Sequence, residues 1–429
     1  MSHPAPGSGM GAATAAVIWI GLAFIAACGG SSPGPAEGGA AKGAGAPEAE
    51  LRARADKLAH ELLIVDTHID VPYRLQEKME DISQRTEEGN FDYPRAVAGG
   101  LNAPFMSIYV PAEYQKTGGA REFADKLIDM VEKFQVDWPD KFAVAHTTRD
   151  VREIFTEGKI ALPMGMENGA PIEDDLANVK HFKDRGISYI TLTHSEDNQI
   201  CDSSYAETHT NGGLSPFGRQ VVAEMNRVGI MVDISHVSDA CAEQVLEIAK
   251  APVIASHSSC RAFTPGWERN ISDDLIKKVA AGGGVIQINF GSAFLNEEAN
   301  KTGTAYWNAS KAFKQANGLE DDDPKMKAFG EQYWKEHKKV YATLDDVVAN
   351  IEHVIEIAGV DHVGFGSDFD GVGDSLPEGL KDVSGYPNIL YELLKRGHSE
   401  DDLRKICGEN LMRVWSEVER IARSGQTAT

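Results

Sequence analysis

Residues 230–257 read Ile-Met-Val-Asp-Ile-Ser-His-Val-Ser-Asp-Ala-Cys-Ala-Glu-Gln-Val-Leu-Glu-Ile-Ala-Lys-Ala-Pro-Val-Ile-Ala-Ser-His. An apolar, β-branched run closes on His236, and Ser238 then opens a helical pattern as an N-cap. A second apolar run, after Ala251-Pro252, closes on His257. The stretch is therefore strand, helix, strand, with a histidine at the carboxyl end of each strand. The same rhythm continues outward on both sides. Apolar runs cover 62–68, 104–110, 161–167, 187–194, 284–290 and 362–368, and helical patterns cover 121–134, 218–228 and 344–358, the last capped by Thr343. The runs are nearly continuous in apolar content, as strands covered on both faces are. Eight such runs predict an α/β fold, a (β/α)8 barrel of the TIM type. An open doubly wound sheet is the alternative, but no Gly-rich dinucleotide fingerprint accompanies it. Residues 295–343, rich in Lys, Asp and aromatics, are expected to be a helical insertion between the last two strands, over one face of the barrel.

The chain has 429 residues, which suits two or three domains or one large barrel. Hydrophobic residues make up 42% and charged residues 25%, which excludes wholesale disorder, a collagen-like fibre and a multi-span membrane protein. A net charge of −23 excludes nucleic acid as a natural partner, because phosphate contacts need a basic surface. Five cysteines without a CxxC pair do not make a disulfide scaffold, and any pairing among Cys201, Cys241, Cys260 and Cys407 stays open.

The first 50 residues differ in composition, being mostly Gly, Ala, Ser and Pro. Residues 15–27 are an apolar run shorter than the ~20 residues of a membrane span, and they fit a signal-peptide core. The run ends Ile25-Ala-Ala-Cys28-Gly29, which resembles the bacterial lipoprotein signal, where the cysteine is lipid-modified and the chain is cut before it. The expectation is a signal peptide at 1–28 with Cys28 as lipidation site, a flexible tether at 29–50 and the barrel at 51–425. The protein is then exported to the bacterial cell envelope and attached to a membrane through lipid. A plain cleaved secretion signal, with Cys28 incidental, is the simpler alternative.

Ionisable residues cluster at the carboxyl ends of the strands. The ends are Asp66-Thr-His68-Ile-Asp70, Met166-Glu167-Asn168, Thr193-His194-Ser195, Ser235-His236, Ser256-His257 and Ser367-Asp368-Phe-Asp370. Barrel active sites form at that end, from several strands at once. A lone strand-end histidine reads as structural, but several converging on one mouth do not, since burying unpaired ionisable groups is costly. His68, Asp70, Glu167, His236 and His257 make five candidate metal ligands of types that suit zinc or another divalent transition metal. Five exceed the three that one open catalytic zinc uses, and two ions sharing a carboxylate would employ them all. Asp368 is then free to handle protons, while Asp370 is expected to be structural.

Taken in order, the motifs resemble those of the membrane (renal-type) dipeptidase family of the amidohydrolase superfamily. They are Val65-Asp-Thr-His-Ile-Asp70, Gly165-Met-Glu-Asn-Gly169, Tyr189-Ile-Thr-Leu-Thr-His-Ser195, Val232-Asp-Ile-Ser-His-Val-Ser238, Ala251-Pro-Val-Ile-Ala-Ser-His-Ser-Ser259, Arg269-Asn-Ile-Ser-Asp-Asp274 and His362-Val-Gly-Phe-Gly-Ser-Asp-Phe-Asp-Gly-Val372. The resemblance implies hydrolysis of dipeptides by a hydroxide activated at a dinuclear zinc site, with tolerance of a D-residue at the C-terminal position. It implies that His68 and Asp70 hold the first zinc, that Glu167 bridges, and that His236 and His257 hold the second. It gives His194 to the scissile carbonyl and its oxyanion, Arg269 to the substrate's terminal carboxylate and Asp368 to proton transfer. Arg261 is a rival for the carboxylate, because the loop holding Pro265-Gly-Trp267 can differ in length from relatives. A homodimer is compatible with this reading. Another amidohydrolase reaction (lactone, cyclic amide or β-lactam opening) and an inactive, lipid-tethered binding protein are the alternatives.

Overall fold

Valine, isoleucine and methionine dominate the short segments that pair in the computed structural model, which describes residues 47–319 and 323–426. Among these residues ten strands form: β1 (Ile64–Ile69), β2 (Leu101–Tyr109), β3 (Phe142–Val144), β4 (Ile160–Leu162), β5 (Met164–Glu167), β6 (Ile187–Thr191), β7 (Met231–Asp233), β8 (Ile254–Ala255), β9 (Val285–Ile288) and β10 (Val363–Phe365). Eight of them close into a barrel in the order β1-β10-β9-β8-β7-β6-β5-β2. Every neighbouring pair is parallel, and helices fill the connections, so the (β/α)8 barrel is the architecture.

One expected strand divides. The run 161–167 breaks at Pro163, which has no N–H to give to a ladder. Residues before it form β4, which pairs with β3 in a separate two-stranded sheet, and only β5 enters the barrel. Most of the expected strands are also shorter than their apolar runs. His194, His236, His257 and Asp368 all lie just beyond the last paired residue.

The insertion between β9 and β10 is helical, as expected, with helices Glu297–Asn317 and Pro324–Glu336. Its aromatics form a small core of their own: Phe313 stacks on Phe329 at 4.5 Å and Tyr306 meets Trp334 at 4.9 Å. Trp307, half exposed, faces Tyr205 at 6.4 Å. At the other end of the chain's described part, the first helix is Glu48–Glu61, so residues 48–50 belong to it and not to a tether. Cys28, the signal segment and most of the expected tether lie outside the described residues. No helix among the described residues is long and apolar enough to cross a membrane. The four cysteines of the barrel are buried and unpaired as disulfides.

Strand pairing is short on the β7–β8–β9 side, where β8 has two residues. It is short again between β1 and β10, which register at a single pair, and at each place a buried aspartate extends the pairing with side-chain bonds. Asp66 Oδ1 accepts the main-chain N–H of His68 and of Ser367, both at 3.0 Å, and so ties the end of β1 to that of β10. The Tyr386 hydroxyl donates to the other oxygen. Asp233 Oδ1 accepts the N–H of Ser235 at 3.0 Å and of Ser256 at 2.8 Å, tying β7 to β8. Its Oδ2 accepts the hydroxyls of Thr191 and Ser256, at 2.5 and 2.6 Å, which adds β6.

Inside the barrel, the fully buried Tyr189 ring lies flat against the backbone of β5 at Gly165. A Cβ at residue 165 would stand 2.0 Å from Tyr189 Cζ, so only glycine fits. Gly165→Ala is expected to destabilise the protein by ~1–3 kcal/mol, the range for over-packing a core. Chemical denaturation of the two proteins side by side measures it, and an unchanged midpoint would refute the packing argument.

Candidate metal centre and substrate cleft

The sequence places one or two ionisable residues at each strand end, and barrel closure brings those ends together. Three overlapping groups, His68 with Glu167 and His257, Glu167 with His194 and His236, and His68 with Asp70 and Asp368, each offer ligand atoms within 4.8 Å of one another. Glu167, the last residue of β5, is the common member of two groups. His68 Nε2 lies 3.4 Å from Glu167 Oε2 and 3.4 Å from Asp70 Oδ2. The other oxygen, Oε1, faces His236 Nε2 at 3.0 Å, His257 Nε2 at 3.3 Å and His194 Nε2 at 3.5 Å. The carboxylate thus divides the mouth, one oxygen toward each side.

Two observations test whether a metal suits these residues. His68 Nε2 and Asp70 Oδ1 are buried polar atoms with no hydrogen-bond partner, an arrangement that is costly unless something else engages them. Space is also kept open beside them: a Cβ at Gly371 would lie 2.2 Å from Asp368 Oδ1 and 2.3 Å from Asp70 Oδ2. Imidazole nitrogens and carboxylate oxygens converging on unfilled positions fit a metal ion.

The electrostatics agree. Burial, and after it Arg269, pushes the His236 imidazole well below its ordinary range, and burial with His68 does the same to His257. Both are neutral, the form that ligates. Burial also lowers His194. For Glu167 burial acts against ionisation, but the imidazoles gathered around it, His68 and His194 with His236 and His257, outweigh it and hold the carboxyl well below the usual range. At His68 burial is likewise outweighed, by Tyr189, Asp70 and Glu167, so this side of the mouth favours positive charge. Asp368 is pushed up to about 7 by burial and then by the Asp70 carboxylate. Asn289 Nδ2 donates to its Oδ2 at 2.7 Å.

Beside these groups opens a cleft of about 450 Å³, within the range of small-molecule sites. Asp70, Glu167, His194, His236 and Asp368 line one side, Tyr73, Tyr109, Tyr205, Phe294 and Val372 line another, and the charged Arg74 and Glu77 line it as well. Tyr109 packs on the His194 ring at 4.8 Å. Asp370 is at the rim but is used structurally, accepting from Arg74 Nε at 3.1 Å and from the Asn90 main chain.

The two arginines separate clearly. Arg261 is committed elsewhere: Nη1 and Nη2 each donate to an Asp239 oxygen at 2.6 Å, and Nε donates to the Asn270 carbonyl at 2.8 Å. Arg269 is buried at the mouth, stacked on Phe294 with 5.0 Å to the ring centroid. Its Nη1 donates to Ser258 Oγ at 2.8 Å, and Nη2 donates to the His257 carbonyl and to His236 Nε2, both at 3.0 Å. All of His68, Asp70, Glu167, His194, His236, His257, Arg269 and Asp368 therefore share one mouth, and Arg261 stands apart. The residues that sequence reasoning missed are those behind the mouth: Asp66, Asp233, Ser256, Tyr189 and Asn289. The signal available for the two aspartates was their place inside buried strands, where a carboxylate needs several donors.

Known proteins share this family and this architecture. The family model described as membrane dipeptidase (peptidase family M19) matches residues 52–429. Dipeptidase tcpJ of Claviceps purpurea is 34% identical over 360 residues, covering 81% of this chain and 74% of its own. The probable dipeptidase PvdM of Pseudomonas aeruginosa superposes with a TM-score of 0.75 at 28% identity, over 87% of this chain and 100% of its own. The metallopeptidase dipeptidase AC gives a TM-score of 0.68 at 25% identity, over 83% and 98%. A match that spans the barrel from its first helix to its last residues, with the metal-ligand types gathered at the mouth, shows that the chain belongs to the membrane dipeptidase family, peptidase family M19, and is a metallo-dipeptidase.

Proposed function

We propose that this enzyme hydrolyses dipeptides with two zinc ions bound at the barrel mouth, the first by His68, Asp70 and Glu167 and the second by Glu167, His236 and His257. The observation that carries the proposal is the division of Glu167, with Oε2 3.4 Å from His68 and Oε1 3.0 and 3.3 Å from His236 and His257. Ligand atoms ~2.0–2.1 Å from a tetrahedral zinc stand about 3.3 Å apart, which these separations match. Two such ions would polarise the scissile carbonyl and activate water at neutral pH.

The chain's own groups supply the rest. His194, neutral and within the cleft, is positioned to hydrogen-bond the oxygen on which negative charge develops. Asp368, held by Asn289, can take a proton and pass it to the leaving amine. Arg269 offers a guanidinium beside the same cleft for the substrate's free carboxylate, a charge-assisted interaction. Fixing carbonyl and carboxylate at two points leaves room for one residue between them, which selects dipeptides over longer chains. D-residues at the C-terminal position are expected to be tolerated, as the family resemblance implies. Export, lipidation at Cys28 and residence at the bacterial envelope complete the proposal, supported by Ile25-Ala-Ala-Cys28. A dipeptide panel on zinc-replete protein, with D-residues and blocked C-termini, tests the assignment. Turnover of lactones or cyclic amides in preference to dipeptides would overturn it.

Three outcomes are expected. Elemental analysis of zinc-saturated protein should give about two ions per chain, and Glu167→Ala should weaken both. One tight ion with no second site under zinc excess would refute the dinuclear reading. Arg269→Ala should lower kcat/KM for a dipeptide by about 10- to 150-fold, the ~1.5–3 kcal/mol of a hydrogen bond to a charged group, and should affect the dipeptide amide far less. Equal losses on acid and amide would show that Arg269 does not read the carboxylate. Cys28→Ser should move the protein out of the membrane fraction or leave its precursor uncut, and an unmodified mature N-terminus at another residue would exclude lipidation.

A further inference from the structure

Two of the histidines at the mouth are anchored from behind by groups that have no access to substrate. His68 Nδ1 lies 2.8 Å from Tyr189 Oη, and that hydroxyl donates its own proton to the Thr67 carbonyl at 2.9 Å. With its proton spent, Oη can only accept, so His68 Nδ1 carries a hydrogen and Nε2 is the nitrogen left to ligate. His257 Nδ1 lies 2.7 Å from Ser256 Oγ, whose proton goes to Asp233 Oδ2 at 2.6 Å. The same logic puts the hydrogen of His257 on Nδ1 and the lone pair on Nε2. The two rings pack against each other, tilted by 32° with centroids 3.8 Å apart, and both Nε2 atoms turn toward Glu167.

We propose that Tyr189, and the Asp233–Ser256 pair, are positioning residues that preset the ligating tautomer of one histidine each, and so control the two ions separately. The arrangement has features that packing alone does not need. Tyr189 reaches its position only because residue 165 is glycine, and it is completely buried. Asp233 already accepts three other hydrogen bonds, from Ser235, Ser256 and Thr191, so strand ends stay tied without the serine hydroxyl. The link from Ser256 to the imidazole is therefore surplus to the scaffold. The two anchors also differ in kind. One hangs from a neutral carbonyl and the other from a carboxylate, which strengthens the imidazole as a ligand. His236, by contrast, has a buried Nδ1 with no partner.

The proposal rests on the two-ion reading above, and its test separates the two. The metal-free full chain is titrated with zinc against a chromophoric chelator, which returns two dissociation constants without reference to turnover. A wild type that binds one ion defeats the two-ion reading itself. With two ions bound, Tyr189→Phe is expected to weaken one site about 10- to 100-fold and leave the other unchanged, and Ser256→Ala to do the reverse. In an Asp70→Ala background, which keeps only the second site, Ser256→Ala should still weaken zinc and Tyr189→Phe should not. Ser256→Thr, which retains the hydroxyl, should restore binding. Thr191→Val is the structural control, because it removes a bond to the same Asp233 oxygen without touching an imidazole. The proposal is overturned if both substitutions weaken both sites equally, if neither changes zinc affinity, or if Thr191→Val matches Ser256→Ala.

Discussion

Asp66 and Asp233 hold the mouth of this barrel where main-chain pairing has run out. Each accepts N–H groups from two neighbouring strands, and each stands two or three residues before a histidine of the mouth. Fully buried carboxylates are costly, and the burial does push the Asp66 carboxyl upward. Three or four donors on each compensate, since hydrogen bonds to charged groups are the strong ones. The result is that His68 is registered against Asp368 across β1 and β10, and His236 against His257 across β7 and β8. Those two side chains thus help fix where His68, His236, His257 and Asp368 stand at the mouth.

On that frame the mouth combines opposed demands. Glu167 must stay ionised, His236 and His257 neutral, and Asp368 able to change state, all within a few ångströms. Burial alone would neutralise every one of them. The pattern of neighbours distributes the outcome: imidazoles around Glu167 keep its charge, while burial, and after it the Asp70 carboxylate, raises Asp368 to about 7. One carboxylate is thereby suited to holding cations and the other to exchanging protons, although the two belong to the same chemical type.

Much of this was legible in the sequence because it is written in local terms. Nearly continuous apolar runs gave eight barrel strands, and the ionisable residues closing them gave the five candidate ligands, His194 and Asp368. The helical insertion and the caps at Ser238 and Thr343 were equally local. What the sequence left open depended on direction. Which arginine stands at the mouth is decided by Asp239, which claims Arg261 through a fork of two hydrogen bonds, while Arg269 bonds His236 and the His257 carbonyl. The break at Pro163 was visible as a residue but not as a change of sheet, because the apolar pattern runs on unbroken through it. Tyr189 looks like any aromatic strand residue until the barrel closes and turns its hydroxyl to His68.

The loops that carry the site leave their strands abruptly. His236, Asp368 and Asp370 all adopt left-handed backbone, with φ of 67°, 62° and 68°, and Asn168 beside Glu167 has φ of 80°. For side chains other than glycine that conformation stores strain, of order 1–3 kcal/mol at each position. A protein that concentrates such residues at its reactive end has traded sturdiness for reach. Glycine or asparagine at 236 or 368 would relax the chain while removing a group that the proposed chemistry uses, so selection for thermal endurance alone would drift toward inert barrels. Directed evolution of this enzyme for heat tolerance therefore needs its gains in the outer helices, with the turns after β7 and β10 kept under functional selection throughout.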